Sequence, residues 1–197
     1  DQKAISNVSY SKRWPKSKNS FSSNFYTNLD LLIDEKADPQ SNYYVQPSRA
    51  GTQINLQNQT FPKFSFRHGQ SNLFPTTATK KKWFNTIKWN YGLNYTNNSR
   101  DFYESVQIDS TAYGWNRDSL GTLVKSSEKN DGWIHTSNIN APQKMFKYIS
   151  INPSVNIKSA WVNKTNEGIW NGSKFEESIK EGFAARATGS FSLSAST

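Results

Sequence analysis

Hydrophobic and polar residues alternate with a period of two along much of the chain. Between Trp83 and Tyr95 nearly every odd-numbered position is aromatic or aliphatic, and the even-numbered positions from Thr86 onward are polar or glycine. The same alternation runs from Met145 to Trp161 and from Phe183 to Ala195. Because successive side chains of a β-strand point to opposite faces, each segment is predicted to be a strand with one apolar and one polar face.

Weaker alternation marks four more strands, over residues 8–14, 21–29, 54–66 and 133–139. In the 54–66 segment the phase is kept through Pro62, which favours one long strand with a local irregularity over two strands and a turn. The total is about seven strands, each near or beyond the roughly 9 to 11 residues that cross a bilayer at a tilt.

The predicted connections alternate in length. Short links are expected at 15–18 and 141–144, and long polar loops at about 30–50, 97–130 and 162–182, the second with room for a small hairpin of its own. Short turns on one side and long loops on the other are typical of a transmembrane β-barrel.

Composition supports a two-faced sheet. Only 34% of the residues are hydrophobic and the mean hydropathy is -0.81, yet 14% are aromatic, with 7 Trp, 9 Tyr and 12 Phe. The predicted fold is all-β: an antiparallel up-and-down sheet of about seven long strands, with residues 1–197 forming part of a larger outer-membrane β-barrel domain. A soluble β-sandwich, in which one face of each sheet is buried, remains the alternative. Seven strands cannot close a barrel, so the piece alone is not expected to insert as a monomer.

The formal net charge of +9 suggests an anionic partner, such as anionic lipid or an acidic polysaccharide. Nucleic acid is disfavoured, because the Lys and Arg residues are spread singly over separate strands. No apolar run approaches the roughly 20 residues of a membrane helix. The first residues lack the apolar region of a signal peptide, so we expect this N-terminus to be internal to a longer chain.

The sequence gives no indication of catalysis. His68 and His135 are expected to be solvated strand positions, and the adjacent carboxylates Asp34-Glu35 and Glu176-Glu177 fall in predicted loops. There is no cysteine, no phosphate-binding glycine loop and no recognisable Ser-His-Asp arrangement. We therefore predict no enzyme activity, no metal site and no cofactor.

The candidate functional residues lie on the two predicted faces of the strands. Basic and amide side chains on the polar face would line a hydrated lumen and bind sugars or phosphates, or would simply keep the lumen wet. Aromatic side chains on the other face, or at strand ends, would contact lipid or form an interfacial girdle. The lumen-facing set is Lys88, Asn90, Asn94, Asn152, Asn156, Lys158 and Arg186; the aromatic set is Trp14, Trp83, Trp89, Tyr91 and Trp161.

Three groups of motifs, in one order along the chain, resemble a known family. The first is Tyr10-Ser11-Lys12-Arg13-Trp14-Pro15 followed by Phe21-Ser22. The second is Pro62-Lys63-Phe64-Ser65-Phe66, then Leu73-Phe74-Pro75 and Lys82-Trp83-Phe84. The third is Phe146-Lys147-Tyr148, Ile151, Pro153-Ser154, Asn156 and Trp161. Together they are similar to the barrel region of the Bacteroidetes-type lipopolysaccharide-assembly protein LptD.

This resemblance implies a transport component of the bacterial outer membrane, in contact with outer-membrane lipid. Lipopolysaccharide would arrive through the periplasmic Lpt bridge and an N-terminal jellyroll domain, and would leave through a seam in the barrel. An LptE-like lipoprotein would plug the lumen. The chain departs from the family in showing no jellyroll, no recognisable seam strands and none of the cysteines that some members pair. The alternatives are a secreted carbohydrate-binding β-sandwich that stacks Trp and Tyr on sugars, or another outer-membrane barrel such as a nutrient receptor or porin.

Overall fold

The computed structural model describes residues 2–74, 82–110, 112–145, 148–170, 172 and 175–196. These residues form nine β-strands, one short α-helix and one 3₁₀ helix. The strands are β1 Lys3–Trp14, β2 Asn19–Asp30, β3 Gln53–Asn72, β4 Lys88–Gln107, β5 Tyr113–Trp115, β6 Lys125–Asn140, β7 Gln143–Met145, β8 Ile149–Trp170 and β9 Phe175–Ser196; the helices are α1 Ile33–Ala37 and the 3₁₀ helix Trp83–Thr86. Seven of the strands are long, with 12 to 22 residues, as the alternation predicted.

The long strands form one sheet in chain order. Its order is β1-β2-β3-β4-β6-β8, with β9 on the far side of β8. The described pairings of β4, β6 and β8 are all antiparallel. In the part of the chain that the structure describes, β1 and β9 each pair with a single strand, so the sheet is not closed on itself. The prediction of an all-β, antiparallel, up-and-down sheet is confirmed.

Strand β3 is continuous through the Phe61–Pro62 peptide bond, which is cis. The prediction of one long strand with an irregularity at Pro62 is therefore confirmed. By contrast, the prediction of a short link at 141–144 was wrong. After a break at residues 141–142 the chain forms strand β7, which pairs with β8. Gln143, Lys144 and Met145 pair with residues 149–151 of β8, and the Ala141 N–H donates to the Pro153 carbonyl at 3.0 Å.

The strand expected to begin at Trp83 begins instead at Lys88. Local hydrogen bonds explain the difference. The Asn85 side chain accepts from the Lys82 N–H at 2.9 Å, and the Thr86 hydroxyl donates to the Trp83 carbonyl at 2.6 Å. Such side-chain bonds to nearby backbone compete with strand pairing, and here they stabilise a 3₁₀ turn.

Two of the predicted long loops contain strand. The segment predicted as a loop over 97–130 holds the end of β4, a small hairpin in which residues 113–115 pair with 105–107, and the start of β6. The loop predicted over 162–182 was wrong, because β8 and β9 continue to pair there as far as Trp170 and Phe175. The connection between β2 and β3, residues 31–52, is close to the predicted 30–50 loop and contains α1.

The chain divides into two compact units. Unit 1 comprises residues 1–9, 24–62 and 97–130, and unit 2 comprises 10–23, 63–96 and 131–197. Unit 1 contains the 31–52 and 108–124 connections, and unit 2 contains the short turns. None of the helices among the described residues is long and apolar enough to cross a membrane.

Unit 1 has a small buried core. Apolar side chains of the 31–52 connection pack with others from β4 and β5, and the buried apolar members are Leu32, Ile33, Ala37, Phe102 and Trp115. The indole N–H of Trp115 donates to the Val45 carbonyl at 3.1 Å. An Arg117 guanidinium N–H donates to the Ala37 carbonyl, also at 3.1 Å. The connection is therefore held down on the strands.

Ser105, on β4, forms hydrogen bonds with the C-terminal part of the 31–52 connection. Its side chain is 2% exposed, and its hydroxyl donates to the Arg49 carbonyl at 2.7 Å and accepts from the Thr52 N–H at 2.9 Å. The backbone of Ser105 adds two bonds, from its N–H to the Thr52 carbonyl and from the Gly51 N–H to its own carbonyl. The buried serine thus supplies hydrogen-bond partners for backbone groups that are shielded from water.

Candidate functional site

The predicted lumen-facing residues share one face of the sheet within unit 2. On β8 and β9 the register pairs Asn152 with Ser194, Asn156 with Ser190 and Lys158 with Thr188. On the other side of β8, Asn156 pairs with Asn138 of β6. Directly opposed residues of neighbouring strands point to the same face, so these side chains form one polar surface, which we call the polar face.

A depression of about 300 Å³ lies on the polar face. It brings together three of the predicted residues, Asn90, Asn156 and Lys158. The other four, Lys88, Asn94, Asn152 and Arg186, do not line it. The side chains that sequence reasoning missed are hydroxyls and an amide on the same face: Thr136, Asn138, Thr188 and Ser190.

Hydrogen bonds fix several of these groups. The Asn138 amide donates to the Asn156 side-chain oxygen, and the Thr188 hydroxyl donates to the Lys158 carbonyl at 3.4 Å. The Thr136 hydroxyl donates to the Gly92 carbonyl at 3.3 Å. A Cβ at Gly92 would lie 2.7 Å from that hydroxyl oxygen, so the glycine leaves room for Thr136.

A second depression of about 350 Å³ shares Asn90 and Thr136 with the first. It extends the polar face to β3, where Arg67 contributes a guanidinium that was not predicted as a site residue. Amides, hydroxyls, one ammonium and one guanidinium supply both donors and acceptors. That donor and acceptor set can bind sugar hydroxyls and pair with phosphates.

The opposite face of unit 2 carries a line of ring contacts, which we call the ring face. The centroids of His68 and Trp89 lie 4.5 Å apart, those of His135 and Trp161 lie 4.2 Å apart, and those of Trp161 and Phe183 lie 6.1 Å apart. The Tyr91 hydroxyl is 2.8 Å from His135 Nδ1. Three predicted aromatic residues, Trp89, Tyr91 and Trp161, therefore belong to one face.

More rings join the ring face beyond the five predicted aromatic residues. Tyr95 and Trp133 have centroids 4.5 Å apart, and Phe64 lies 5.2 Å from Tyr95. The signal was present, since all three occupy apolar phases of strands already identified. The remaining predicted aromatics lie near strand ends: Trp14 ends β1 and is 40% exposed, and Trp83 begins the 3₁₀ helix and is 68% exposed.

The histidines are not the solvated positions that were expected. His68 is partly buried against Trp89, with one ring nitrogen 2.7 Å from Asn19 Oδ1 and the other 2.7 Å from Ser71 Oγ. His135 lies between Tyr91 and Trp161, and its Nε2 is buried without a partner in the described structure. Among the described residues no three His, Asp or Glu side chains are grouped as metal ligands.

Comparison with known proteins gives one match. The family model described as LptD protein matches residues 1–197, the whole of the sequence. Neither a curated protein nor a solved structure matches the chain. The family match covers every strand described above and agrees with the all-β antiparallel sheet. The chain belongs to the LptD protein family.

Proposed function

We propose that this chain forms part of the wall of an outer-membrane β-barrel through which lipopolysaccharide reaches the outer leaflet. The family match supports a role in lipopolysaccharide transport and assembly. The observation that carries the finer proposal is the contrast between the two faces of unit 2. One face is a row of rings and the other holds depressions lined mostly by polar residues, with a single layer of strands between them.

In a single sheet layer, no second layer of secondary structure packs on either face. Each face is therefore in contact with solvent, lipid or another molecule. On the ring face, Trp161 remains 40% exposed and Phe183 70% exposed despite their mutual contact. Apolar rings at that exposure are unfavourable in water and favourable in contact with lipid chains. The polar face, with Asn90, Asn156 and Lys158, then faces the lumen, where the sugars of lipopolysaccharide would pass.

Other features of the proposal extend the family resemblance. We place the chain in the Bacteroidetes-type branch, in the bacterial outer membrane, as a barrel segment that is not an enzyme and needs no cofactor. An LptE-like lipoprotein in the lumen and the periplasmic Lpt bridge would be its partners in the intact protein. These assignments rest on the motif resemblance and not on geometry.

Photocrosslinking in cells tests the assignment of the faces. A photoreactive phenylalanine analogue is placed at Lys158 or at Trp161 of the full-length protein, three residues apart on opposite faces of β8. We expect lipopolysaccharide adducts from position 158 that depend on continuing transport, because only the polar face lines the proposed route. Phospholipid adducts are expected from position 161.

A matched pair on β4, Asn90 and Trp89, repeats the test on a second strand. Transport-dependent lipopolysaccharide adducts from both faces, or from the ring face alone, would contradict the proposal. If neither position on the ring face crosslinks to lipid, and cysteines introduced at both positions react with a water-soluble maleimide, the ring face is not in a membrane, and a soluble sandwich-like role is favoured instead.

A further inference from the structure

Basic residues are concentrated, without acidic ones, on the parts of unit 2 near the short connections. The segments 10–23, 63–96 and 132–158 contain 13 Lys and Arg and no Asp or Glu. Nine of these cations are exposed in the described structure. Six of the nine lie on or beside the short connections: Lys12, Arg13, Lys16, Lys18, Lys82 and Lys144. We call these six the basic rim. Among the described residues no ion pair joins any of them to a carboxylate.

Hydrogen bonds place the turns that carry the rim side by side. The Gly69 N–H donates to the Lys18 carbonyl at 2.7 Å, and Lys18 Nζ donates to the Gln70 carbonyl at 2.8 Å. These bonds join the turn between β1 and β2 to the end of β3. The Gln143 amide donates to the Trp83 carbonyl at 2.9 Å, which joins β7 to the 3₁₀ helix.

The next bond completes the row. The Leu73 N–H, just beyond β3, donates to the Ile87 carbonyl at 2.9 Å, just before β4. The turn at 15–18, the end of β3, the 3₁₀ helix and β7 therefore form one continuous edge of unit 2. The six cations therefore lie along one edge of unit 2, at the same ends of the strands.

Exposed rings lie among these cations. Trp83 is 68% exposed and Tyr148 is 80% exposed. Lys12 Nζ lies 5.4 Å from the centroid of Trp14, and Lys82 Nζ lies 5.7 Å from that of Phe84. Each contact places a lysine ammonium over an aromatic ring, and both kinds of side chain are enriched at membrane interfaces, where rings lie at headgroup depth.

We propose that the basic rim binds the phosphodiester headgroups of anionic phospholipids in the leaflet on the short-turn side. Polybasic segments beside a membrane are attracted to anionic lipid, and six unpaired cations on one edge fit a lipid surface with many phosphates. The exposed tryptophan and tyrosine rings favour lipid over an acidic protein as the partner, since these rings anchor at the interface. The inference rests on the proposed membrane position and adds a lipid specificity to it.

Lipid retention by the full-length protein tests the proposal. The protein, purified in neutral detergent, is mixed with equal amounts of phosphatidylglycerol and phosphatidylcholine of the same acyl chains, and retained lipid is counted by native mass spectrometry. The rim variant is Lys16→Gln/Lys82→Gln/Lys144→Gln. The matched control, Arg49→Gln/Lys125→Gln/Lys129→Gln, removes the same charge from exposed positions in unit 1.

We expect the parent and the control to retain phosphatidylglycerol over phosphatidylcholine by about threefold or more, and the rim variant to lose that preference. High salt should weaken the preference in the parent. Absence of a preference in the parent, an unchanged preference in the rim variant, or an equal loss in the control would each overturn the proposal.

Two further arms separate other ligands and the fold. Lipid A added as a competitor should not displace phosphatidylglycerol; full displacement would show that the rim prefers lipopolysaccharide phosphates and would overturn the proposal. So would a rim variant that keeps lipid but no longer co-purifies with an acidic envelope protein. Heat-modifiable gel mobility checks that the rim variant is folded, and crosslinking of lipopolysaccharide at position 158 in that variant tests the proposed function separately.

Discussion

Unit 1 and unit 2 differ in how completely their apolar side chains are buried. Every residue that is buried in the described structure belongs to unit 1, including Trp115 at 5% exposure. In unit 2 no described residue reaches that degree of burial, although its rings touch one another. Unit 1 therefore has a small water-excluding core, whereas the rings of unit 2 stay partly exposed, as the proposed lipid-facing wall requires.

The two units also differ in net charge. Unit 1 has seven Lys and Arg against ten Asp and Glu, a net charge of -3, and unit 2 has 17 against five, a net charge of +12. The overall charge of +9 hides this difference. Opposite signs suit different surroundings, because a cationic edge is attracted to anionic headgroups, whereas an acidic surface is repelled by them.

The largest expected effect comes from removing one tryptophan from each unit. Trp115→Ala deletes a buried indole and its bond to the Val45 carbonyl, and we expect a local destabilisation of about 3 to 5 kcal/mol. Trp161→Ala removes a ring that is 40% exposed, and the loss should be about 1 kcal/mol from its contacts with His135 and Phe183. Hydrogen exchange of the full-length protein in detergent measures both.

In the Trp115 variant the loss of protection should be concentrated in residues 31–52, since that connection packs on the indole. In the Trp161 variant protection of residues 31–52 should not change. Equal effects of the two substitutions on the 31–52 connection would show that the distinction between a buried core and an uncovered ring face does not hold.

A smaller effect is expected from a pair of serines. Ser105→Ala removes the acceptor for the Thr52 N–H at a buried position, which should cost about 1 to 3 kcal/mol. Ser154→Ala removes an exposed hydroxyl that lies 2.6 Å from Ser192 Oγ, and should change stability by less than about 0.5 kcal/mol. Trypsin cleavage at Arg49 reports on the first variant, and thermal unfolding reports on both. Resistance of the Ser105 variant to cleavage would mean that the backbone bonds of Ser105 alone hold the connection.

The alternation of apolar and polar side chains predicted strands whose two faces differ in polarity. It missed strand segments whose two faces are both mostly polar. It found β4 from Lys88 to Tyr95 and β8 from Ile149 to Trp161, because rings and amides alternate there. It missed the continuation of β8 to Trp170, whose residues from Asn163 onward are mostly polar on both faces. Backbone pairing with β9 holds that segment as strand without an apolar face.

The candidate site was also predicted only in part from the sequence. The phase of each strand predicted that Asn90, Asn156 and Lys158 share a face, but the depression that unites them depends on the register between strands. Register is set by pairs such as Asn138 with Asn156, which alternation within one strand does not specify. The core of unit 1 was also out of reach, because Leu32, Ile33 and Ala37 follow no period of two and become buried only by contact with distant β4 and β5.

The smallest expected effect is a dependence of unit 1 on pH that unit 2 should not share. Burial alone would raise the pKa of Asp30, but the Lys36 ammonium at 2.6 Å, the Leu32 N–H and the charge of Lys3 hold that pKa below its ordinary value of 3.8. A carboxylate with a lowered pKa in the folded state contributes stability that is present above 3.8 and is lost as the pH falls through the lower, folded value. Protection of residues 31–37 from hydrogen exchange should therefore be constant from neutral pH down to about pH 5 and should decline only below 3.8. In Asp30→Asn the protection at neutral pH should be reduced and this decline should be weaker, whereas the exchange of β8 residues 154–161 should be the same in both proteins. An unaltered acid response in the variant would assign it to other carboxylates of unit 1, and a matching decline in β8 would remove the contrast between the units.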